Sequence, residues 1–217
     1  MDKDGRKLFA TVALALLAAP AALLAFSAWS IAPFSTSTYN ILKTAIFILQ
    51  APKAERMVIG DSRVEFATPP RGVFFVGYGG GSSRQLERVS GVLCALGNAK
   101  VTIALGINDT KPTERNMPVS QAALEGIVDA CDREDLWISA IWPAEAGVEP
   151  AGDDYDPGMT AALDAYIGEL ARRKGLGLIE VPPLQPGYTY DGVHFIDSVS
   201  REYARELAFP EVEKGGG

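Results

Sequence analysis

Histidine and cysteine are scarce in this sequence, and their scarcity excludes several kinds of site. The chain has one histidine and two cysteines among 217 residues, too few for the Cys/His clusters that hold zinc. Its net charge is −7 and its basic residues are scattered, whereas nucleic-acid binding requires a clustered Lys/Arg face. We therefore expect no metal site and no nucleic-acid partner.

Charge is also absent from one long stretch near the N-terminus. Residues 8–34, LFATVALALLAAPAALLAFSAWSIAPF, contain no charged side chain, and about 20 apolar residues suffice to span a bilayer. Lys3, Arg6 and Lys7 precede the run, and the positive-inside rule places them in the cytoplasm. Residues 1–34 are thus predicted to be a short cytoplasmic N-terminus and a single transmembrane signal anchor, with the rest of the chain in the periplasm.

A cleaved signal peptide is the alternative interpretation of this run. Small residues such as Ala25 and Ser27 suit a signal peptidase, and cleavage would give a secreted protein. The run is longer than the usual apolar core of a signal peptide, and Pro33 is badly placed for a cut after Ala32. These features favour the anchor.

Residues 35–52 are predicted to link the anchor to the next domain. Their second part, YNILKTAIFILQAP at 39–52, is apolar but too short to span a membrane. It is consistent with a helix lying at the membrane surface, and equally with a helix or strand packed on the following domain. Both interpretations remain open.

From residue 55 the chain alternates short apolar runs with helix-like segments. The runs are RMVIG, GVFFVG, KVTIALG, LWISAIW and LGLIEV. They are apolar on both faces, as strands of a buried parallel sheet are. Helices are predicted over 83–97, 118–132, 157–174 and 197–208. Residues 53–209 should therefore form a three-layer, doubly wound α/β domain with a five-stranded parallel sheet of flavodoxin-like order 2-1-3-4-5, followed by a disordered tail over 210–217.

The two cysteines, Cys94 and Cys131, both fall on predicted helices. Export would place them in an oxidising compartment, where a disulfide can form. Buried free thiols are nevertheless common on amphipathic helices, and pairing cannot be deduced from sequence spacing. The sequence favours two separate buried thiols.

Residues able to support acyl transfer follow four of the predicted strands, where sites lie in this fold class. GDSR at 60–63 offers Ser62 at a strand-to-helix turn, and GGG at 79–81 lets backbone N–H groups approach a ligand. Asn108 carries an amide that can donate to an oxyanion. Each stretch taken alone is also ordinary turn chemistry.

The single histidine, His194, lies in DGVHF at 191–195, after the fifth predicted strand. Imidazole titrates near neutral pH, and Asp191 is close enough in sequence to orient one ring nitrogen. A serine, N–H donors, a base and an orienting carboxylate together are what acyl transfer requires.

With these four stretches, residues 56–208 resemble the SGNH hydrolases, also called GDSL-type esterases and lipases. The resemblance implies a Ser-His-Asp catalytic triad and an oxyanion hole, with no metal and no organic cofactor. The triad would be Ser62, His194 and Asp191, and the oxyanion donors would be the N–H of Ser62, an N–H of Gly80 or Gly81, and the side chain of Asn108.

One residue departs from the commoner Gly-Asp-Ser-Leu pattern, because Arg63 adjoins the predicted nucleophile. We expect Arg63 to be a substrate contact. Asp61 and Asp109 are expected to orient their loops rather than to react. The modest loops predict an open site rather than a lidded lipase pocket.

The resemblance implies a serine esterase that removes O-acyl or O-acetyl groups from carbohydrates or small esters. With an anchored, exported domain, its substrate would be cell-envelope or exported polysaccharide, and it could associate with the envelope polysaccharide machinery. Two alternatives are a polysaccharide O-acetyltransferase and a catalytically idle, glycan-binding accessory subunit of an envelope complex.

Overall fold

The described part of the chain is organised around five parallel strands. The computed structural model describes residues 3–114, 116–132 and 134–210, without the side chains of residues 3–16 and Glu114. The strands are β1 Arg56–Gly60, β2 Val73–Gly77, β3 Lys100–Ala104, β4 Leu136–Ser139 and β5 Gly177–Ile179. They pair in the order β2-β1-β3-β4-β5, all parallel, which confirms the predicted sheet.

Strand β4 is shorter than the apolar run that predicted it. The run continues through Ile141 and Trp142, which are buried. The N–H of Ile141, however, donates to Asp164 Oδ1 at 2.7 Å and not to a neighbouring strand, so the chain has left the sheet at this residue. Burial beyond the end of a strand looks the same in sequence as burial within it, which explains the overestimate.

Helices cover both faces of the sheet. They are α1 Lys3–Ile31, α2 Thr38–Gln50, α3 Ser62–Phe66, α4 Ser83–Leu96, α5 Met117–Ala130, α6 Pro157–Lys174 and α7 Asp197–Ala208. Side chains alternate between the two faces of a strand, so Met57 and Ile59 share one core with α4, α5 and α6, whereas Val58 packs on the other face with α7. The predicted three layers are therefore present.

Helix α1 covers most of the predicted anchor, and the side chains of its first part lie outside the described residues. Within the portion that is described, no helix is long and apolar enough to cross a membrane. The predicted tail likewise falls outside the described residues from 211 onward. The anchor and the tail stay predictions.

Helix α2 packs on the domain with one face and exposes apolar side chains on the other. Thr44 and Ile48 are buried, and the ring of Phe47 makes edge contacts with Phe74 and Tyr78. Leu42, Ile46 and Leu49 are among its exposed residues. The prediction of a helix packed on the following domain thus describes the inner face of α2, and its outer face is apolar and exposed.

Cys94 and Cys131 form a disulfide, with their Cα atoms 5.1 Å apart. The expectation of two separate thiols was therefore wrong. Cys94 lies near the end of α4 and Cys131 directly follows α5. These helices are neighbours that both start at the carboxyl ends of the parallel strands and run back along the sheet, so their own C-terminal ends meet near the amino ends of the strands.

Candidate active site

Ser62 is the first residue of α3, directly after the turn that ends β1. The carboxylate of Asp61 caps the helix by accepting the N–H of Arg63 at 2.9 Å. A Cβ on Gly60 would lie 2.2 Å from the Val64 side chain, so only glycine lets the helix fold back this closely. The turn places Ser62 at a helix N-terminus, where unpaired N–H groups favour negative charge.

A continuous hydrogen-bonded relay joins Ser62 to His194 and Asp191. Ser62 Oγ lies 2.9 Å from His194 Nε2, although the two residues are 132 positions apart. On the other side of the ring, His194 Nδ1 lies 2.6 Å from Asp191 Oδ2. A carboxylate can only accept from the ring, so Nδ1 carries the hydrogen and the lone pair of Nε2 faces the serine.

Asp191 is held as a carboxylate within a tight turn. The N–H groups of Val193 and His194 donate to its Oδ1 at 3.0 and 2.7 Å. Burial raises the pKa of the Asp191 carboxyl, but the hydrogen bonds from the His194 ring and from these two N–H groups outweigh it and leave the pKa below its usual range. Asp191 therefore stays ionised at neutral pH.

Asn108 faces the glycine turn that follows β2. It lies in the one-turn 3-10 helix Ile107–Thr110 after β3, and its Nδ2 donates to the carbonyl of Gly81 at 3.2 Å. A side-chain amide has two N–H groups, so this bond leaves one for a ligand. A Cβ on Gly79 would lie 3.9 Å from Ser62 Cβ, which shows how closely the turn approaches the serine.

The buried carboxylates Asp61 and Asp109 hold these turns in place. Asp109 accepts the N–H and the hydroxyl of Ser83 at 2.9 and 2.6 Å, which ties the Asn108 turn to the start of α4. Burial raises the pKa of Asp61, against the opposing charge of Arg63. Both arrangements fit the expectation that these residues orient loops.

Arg63 is turned away from the open site, contrary to the expected substrate contact. Arg63 is only 4% exposed, and its guanidinium lies 4.6 Å from the centroid of the Phe195 ring. Its N–H groups donate to the carbonyls of Val193 at 2.8 Å, Pro143 at 2.9 Å and Trp142. Arg63 thus joins α3, the helix that begins with Ser62, to the loop that carries His194.

Two glutamates that support the site were missed by sequence reasoning. Glu65 accepts the N–H of Gly79 and, at 2.6 Å, the ammonium of Lys43 on α2. Glu145 accepts the N–H of Gly187 together with the N–H and hydroxyl of Thr189. The only available signal was the position of Glu65 three residues after the serine; the partners of Glu145 are more than 40 residues away.

The mouth of the site is open and carries two aromatic rings. Phe66, the last residue of α3, is 63% exposed, and Tyr190 is 62% exposed. Their ring centroids lie 5.1 and 5.9 Å from that of His194. No sequence pattern had pointed to either residue.

Solved structures share this fold. A GDSL-like lipase from Bacteroides thetaiotaomicron is 22% identical, with a TM-score of 0.59 over 75% of this chain and 90% of that one. A lipase/acylhydrolase from Enterococcus faecalis is 17% identical, with a TM-score of 0.57 over 69% and 92%. The chain has the fold of these acylhydrolases. A carbohydrate acetylesterase from Sinorhizobium meliloti is also similar, at 14% identity and a TM-score of 0.57 over 74% and 100%.

The likeness is one of fold rather than of close sequence. No protein-family model matches the chain, and no curated protein matches it. The case for function therefore depends on the geometry of the site.

Proposed function

We propose that this protein is a serine esterase that removes O-acyl groups, such as acetyl, from carbohydrates outside the cytoplasmic membrane. The observation that carries the proposal is the relay from Asp191 through His194 to Ser62, with hydrogen bonds of 2.6 and 2.9 Å. A nucleophile, a base within reach of it and a carboxylate that orients the base are the parts that covalent ester cleavage requires.

In the proposed first step, His194 Nε2 takes the proton of Ser62 as Oγ attacks the ester carbonyl. The tetrahedral oxyanion is stabilised by the N–H of Ser62, the backbone N–H of Gly80 and Nδ2 of Asn108. The N–H of Gly81, the other predicted donor, instead donates to the carbonyl of Tyr78 at 3.0 Å. The intermediate collapses, the bond to the alcohol breaks, and His194 gives its proton to the departing oxygen. Asp191 keeps the imidazole in the correct tautomer and stabilises its charged form.

In the second step, a water molecule attacks the acyl group on Ser62 while His194 removes a proton from that water. Collapse of the second tetrahedral intermediate releases the carboxylic acid and returns the proton to Ser62. If a sugar hydroxyl replaces water, the same acyl-enzyme gives acyl transfer. The acetyltransferase alternative therefore differs only in the acceptor.

Two features support action outside the cytoplasmic membrane. The charge-free run at 8–34 fits a signal anchor, with secretion after cleavage as its alternative. The Cys94–Cys131 disulfide is typical of oxidising compartments such as the periplasm. In that location the acylated substrate would be envelope or exported polysaccharide, and the S. meliloti acetylesterase shows this fold in a carbohydrate-ester enzyme.

Labelling with a fluorophosphonate probe and hydrolysis of p-nitrophenyl acetate test the proposal. We expect Ser62→Ala to abolish labelling, and Ser62→Ala or His194→Ala to lower kcat by about 10³-fold or more. Ser198→Ala, which removes an exposed serine at the start of α7, is the matched control and should keep full activity. A wild-type chain that neither labels nor hydrolyses esters would favour the idle glycan-binding subunit.

Asn108→Ala separates the oxyanion hole from the triad. Because the donor acts mainly on the transition state, we expect kcat to fall about a hundredfold with little change in KM. An unchanged kcat would remove Asn108 from the mechanism. Adding an acceptor sugar to the wild-type reaction and assaying the sugar for acyl groups distinguishes transferase from hydrolase.

A further inference from the structure

Two exposed aromatic rings lie beside His194 at the mouth of the site. Phe66 meets the His194 ring edge-on, at an interplanar angle of 61°, and Tyr190 stacks on it at 22°. Both side chains are more than 60% exposed, so most of each ring is open to a ligand. Exposed aromatic rings grouped around a reactive side chain are typical of binding surfaces.

The backbone positions of both residues are tied to the catalytic segments. The N–H of Tyr190 donates to the carbonyl of His194 at 3.0 Å, within a turn closed by a bridge between Thr189 and Phe195. Phe66 lies on α3, the helix that begins with Ser62. Each ring is therefore carried by the same backbone segment as a member of the proposed triad.

The reaction determines which part of an ester lies over these rings. His194 must give its proton to the departing alcohol, so the alcohol oxygen lies within hydrogen-bond distance of Nε2. The carbonyl oxygen lies on the opposite side, toward Asn108 and the glycine turn. The rings, 5 to 6 Å from the imidazole, are thus close to the residue that protonates the departing alcohol.

We propose that Phe66 and Tyr190 form a subsite for the alcohol part of the ester, and that it takes a ring-shaped alcohol whose flat face stacks on an aromatic ring. The inference rests on the proposed esterase function and narrows its substrate to esters of cyclic alcohols. A pyranose and an aryl ring share this chemistry, since both present a flat face to an aromatic side chain.

Three acetate esters that differ only in the alcohol test the subsite: an acetylated methyl pyranoside, phenyl acetate and ethyl acetate. For Phe66→Ala and Tyr190→Ala we expect kcat/KM to fall about tenfold on the pyranoside and less than about threefold on ethyl acetate. Tyr190→Phe keeps the ring and should restore the pyranoside activity. Ile46→Ala, on the exposed face of α2, is the control for loss of a surface apolar side chain and should match wild type.

The response of phenyl acetate identifies the source of the ring. A loss on both cyclic esters supports a subsite for any flat ring, and a loss on the pyranoside alone supports a sugar subsite. Equal losses on all three esters would overturn the proposal, because the rings would then act on the imidazole rather than on the alcohol. No loss on either cyclic ester would overturn it as well. A wild-type chain inactive on every ester would instead refute the esterase function.

Discussion

At the residue scale, a buried cation, Arg63, directly follows Ser62, the proposed nucleophile. Arg63 directs its guanidinium to three carbonyl groups, of which Val193 immediately precedes His194. Burial lowers the pKa of this guanidinium, and the carboxylate of Asp61 opposes the change. A planar group with five donors can bind several carbonyls at once, whereas an ammonium cannot match that geometry. We infer that Arg63 positions the base.

Replacing Arg63 should therefore reduce kcat more than it alters KM. Arg63→Leu removes the guanidinium donor from three carbonyls, those of Val193 and Trp142 being buried, so we expect kcat to fall about tenfold or more and the melting temperature to drop. Arg63→Lys should lie between Leu and wild type. The imidazole NMR signals of His194, unambiguous in a chain with one histidine, should shift in both variants.

The exposed Arg201 on α7 gives a matched control, and Arg201→Leu should change neither kcat nor the imidazole signals. If Arg63→Leu leaves kcat and the signals of His194 unchanged, the guanidinium has no part in positioning the base.

A second prediction at this scale concerns pH. Burial pushes the pKa of the Glu145 carboxyl up, but the N–H of Gly187 and the hydroxyl and N–H of Thr189 outweigh it and leave the pKa below its usual range. A carboxyl with a depressed pKa in the folded state stabilises the fold above its unfolded pKa of about 4.3. That contribution is lost as the pH falls through the folded pKa.

Glu145→Gln should therefore lower the melting temperature at neutral pH, and the difference from wild type should shrink below about pH 4. Melting curves from pH 3 to pH 8 measure this. Glu149→Gln, in an exposed position of the same loop, is the control. A difference that stays constant across the whole range would show that the ionised form of Glu145 contributes nothing.

At the scale of elements, α2 is connected to the oxyanion side of the site. Lys43 Nζ lies 2.6 Å from Glu65 Oε1 and 4.9 Å from the Tyr78 ring centroid, and Thr44 Oγ1 lies 2.9 Å from the Tyr78 hydroxyl. Glu65 in turn accepts the N–H of Gly79. The segment before the sheet thus helps to hold the glycine turn against Ser62.

Lys43→Met should weaken that connection. Without its counter-ion, the half-buried Glu65 carboxylate is drawn toward water, and the glycine turn loses the acceptor that holds it. We expect kcat to fall about tenfold, because small displacements of catalytic groups slow the reaction strongly. Lys43→Arg keeps the charge and should recover most of the activity. Steady-state kinetics on a short acetate ester measure both.

Lys53→Met is the control, because Lys53 is exposed just after α2 and lies outside this network. An unchanged kcat in Lys43→Met, with Lys53→Met also unchanged, would limit α2 to a packing role.

At the scale of the whole molecule, the proposed catalytic residues and the disulfide lie at opposite ends of the parallel strands. The proposed catalytic side chains follow the carboxyl ends of the strands, where sites lie in other open α/β sheets. The Cys94–Cys131 disulfide joins the ends of α4 and α5 and closes a loop with a sequence separation of 37. Cross-linking a loop of this length stabilises a domain by about 2–4 kcal/mol.

Replacing both cysteines by alanine should therefore lower the melting temperature by about 5–15 °C and leave kcat at 25 °C unchanged. A reductant should lower the melting temperature of the wild type and have no effect on the double variant. A wild type insensitive to reductant under unfolding conditions would show that the cross-link does not contribute to stability.

The sequence alone determined the order of the strands and which residues are candidates for catalysis beyond their carboxyl ends. Short runs that are apolar on both faces predict buried parallel strands, and the helical segments between them predict crossover helices. Few sheet topologies are compatible with this pattern, because crossovers between parallel strands are right-handed and strands adjacent in sequence tend to pair. Once the strands are assigned, Ser62 and Asn108 fall shortly after β1 and β3, and Asp191 and His194 fall in the segment between β5 and α7. The relay between them then required only that these ends meet.

Only the tertiary structure decided which side chains support that relay. The direction of Arg63, the partners of Glu65 and Glu145, and the pairing of Cys94 with Cys131 all depend on distances between residues far apart in the chain. No local pattern encodes those distances, because the same charge or thiol is compatible with a solvated surface, a free buried position or a bond across the fold. Packing of the helices on the sheet selects among these environments.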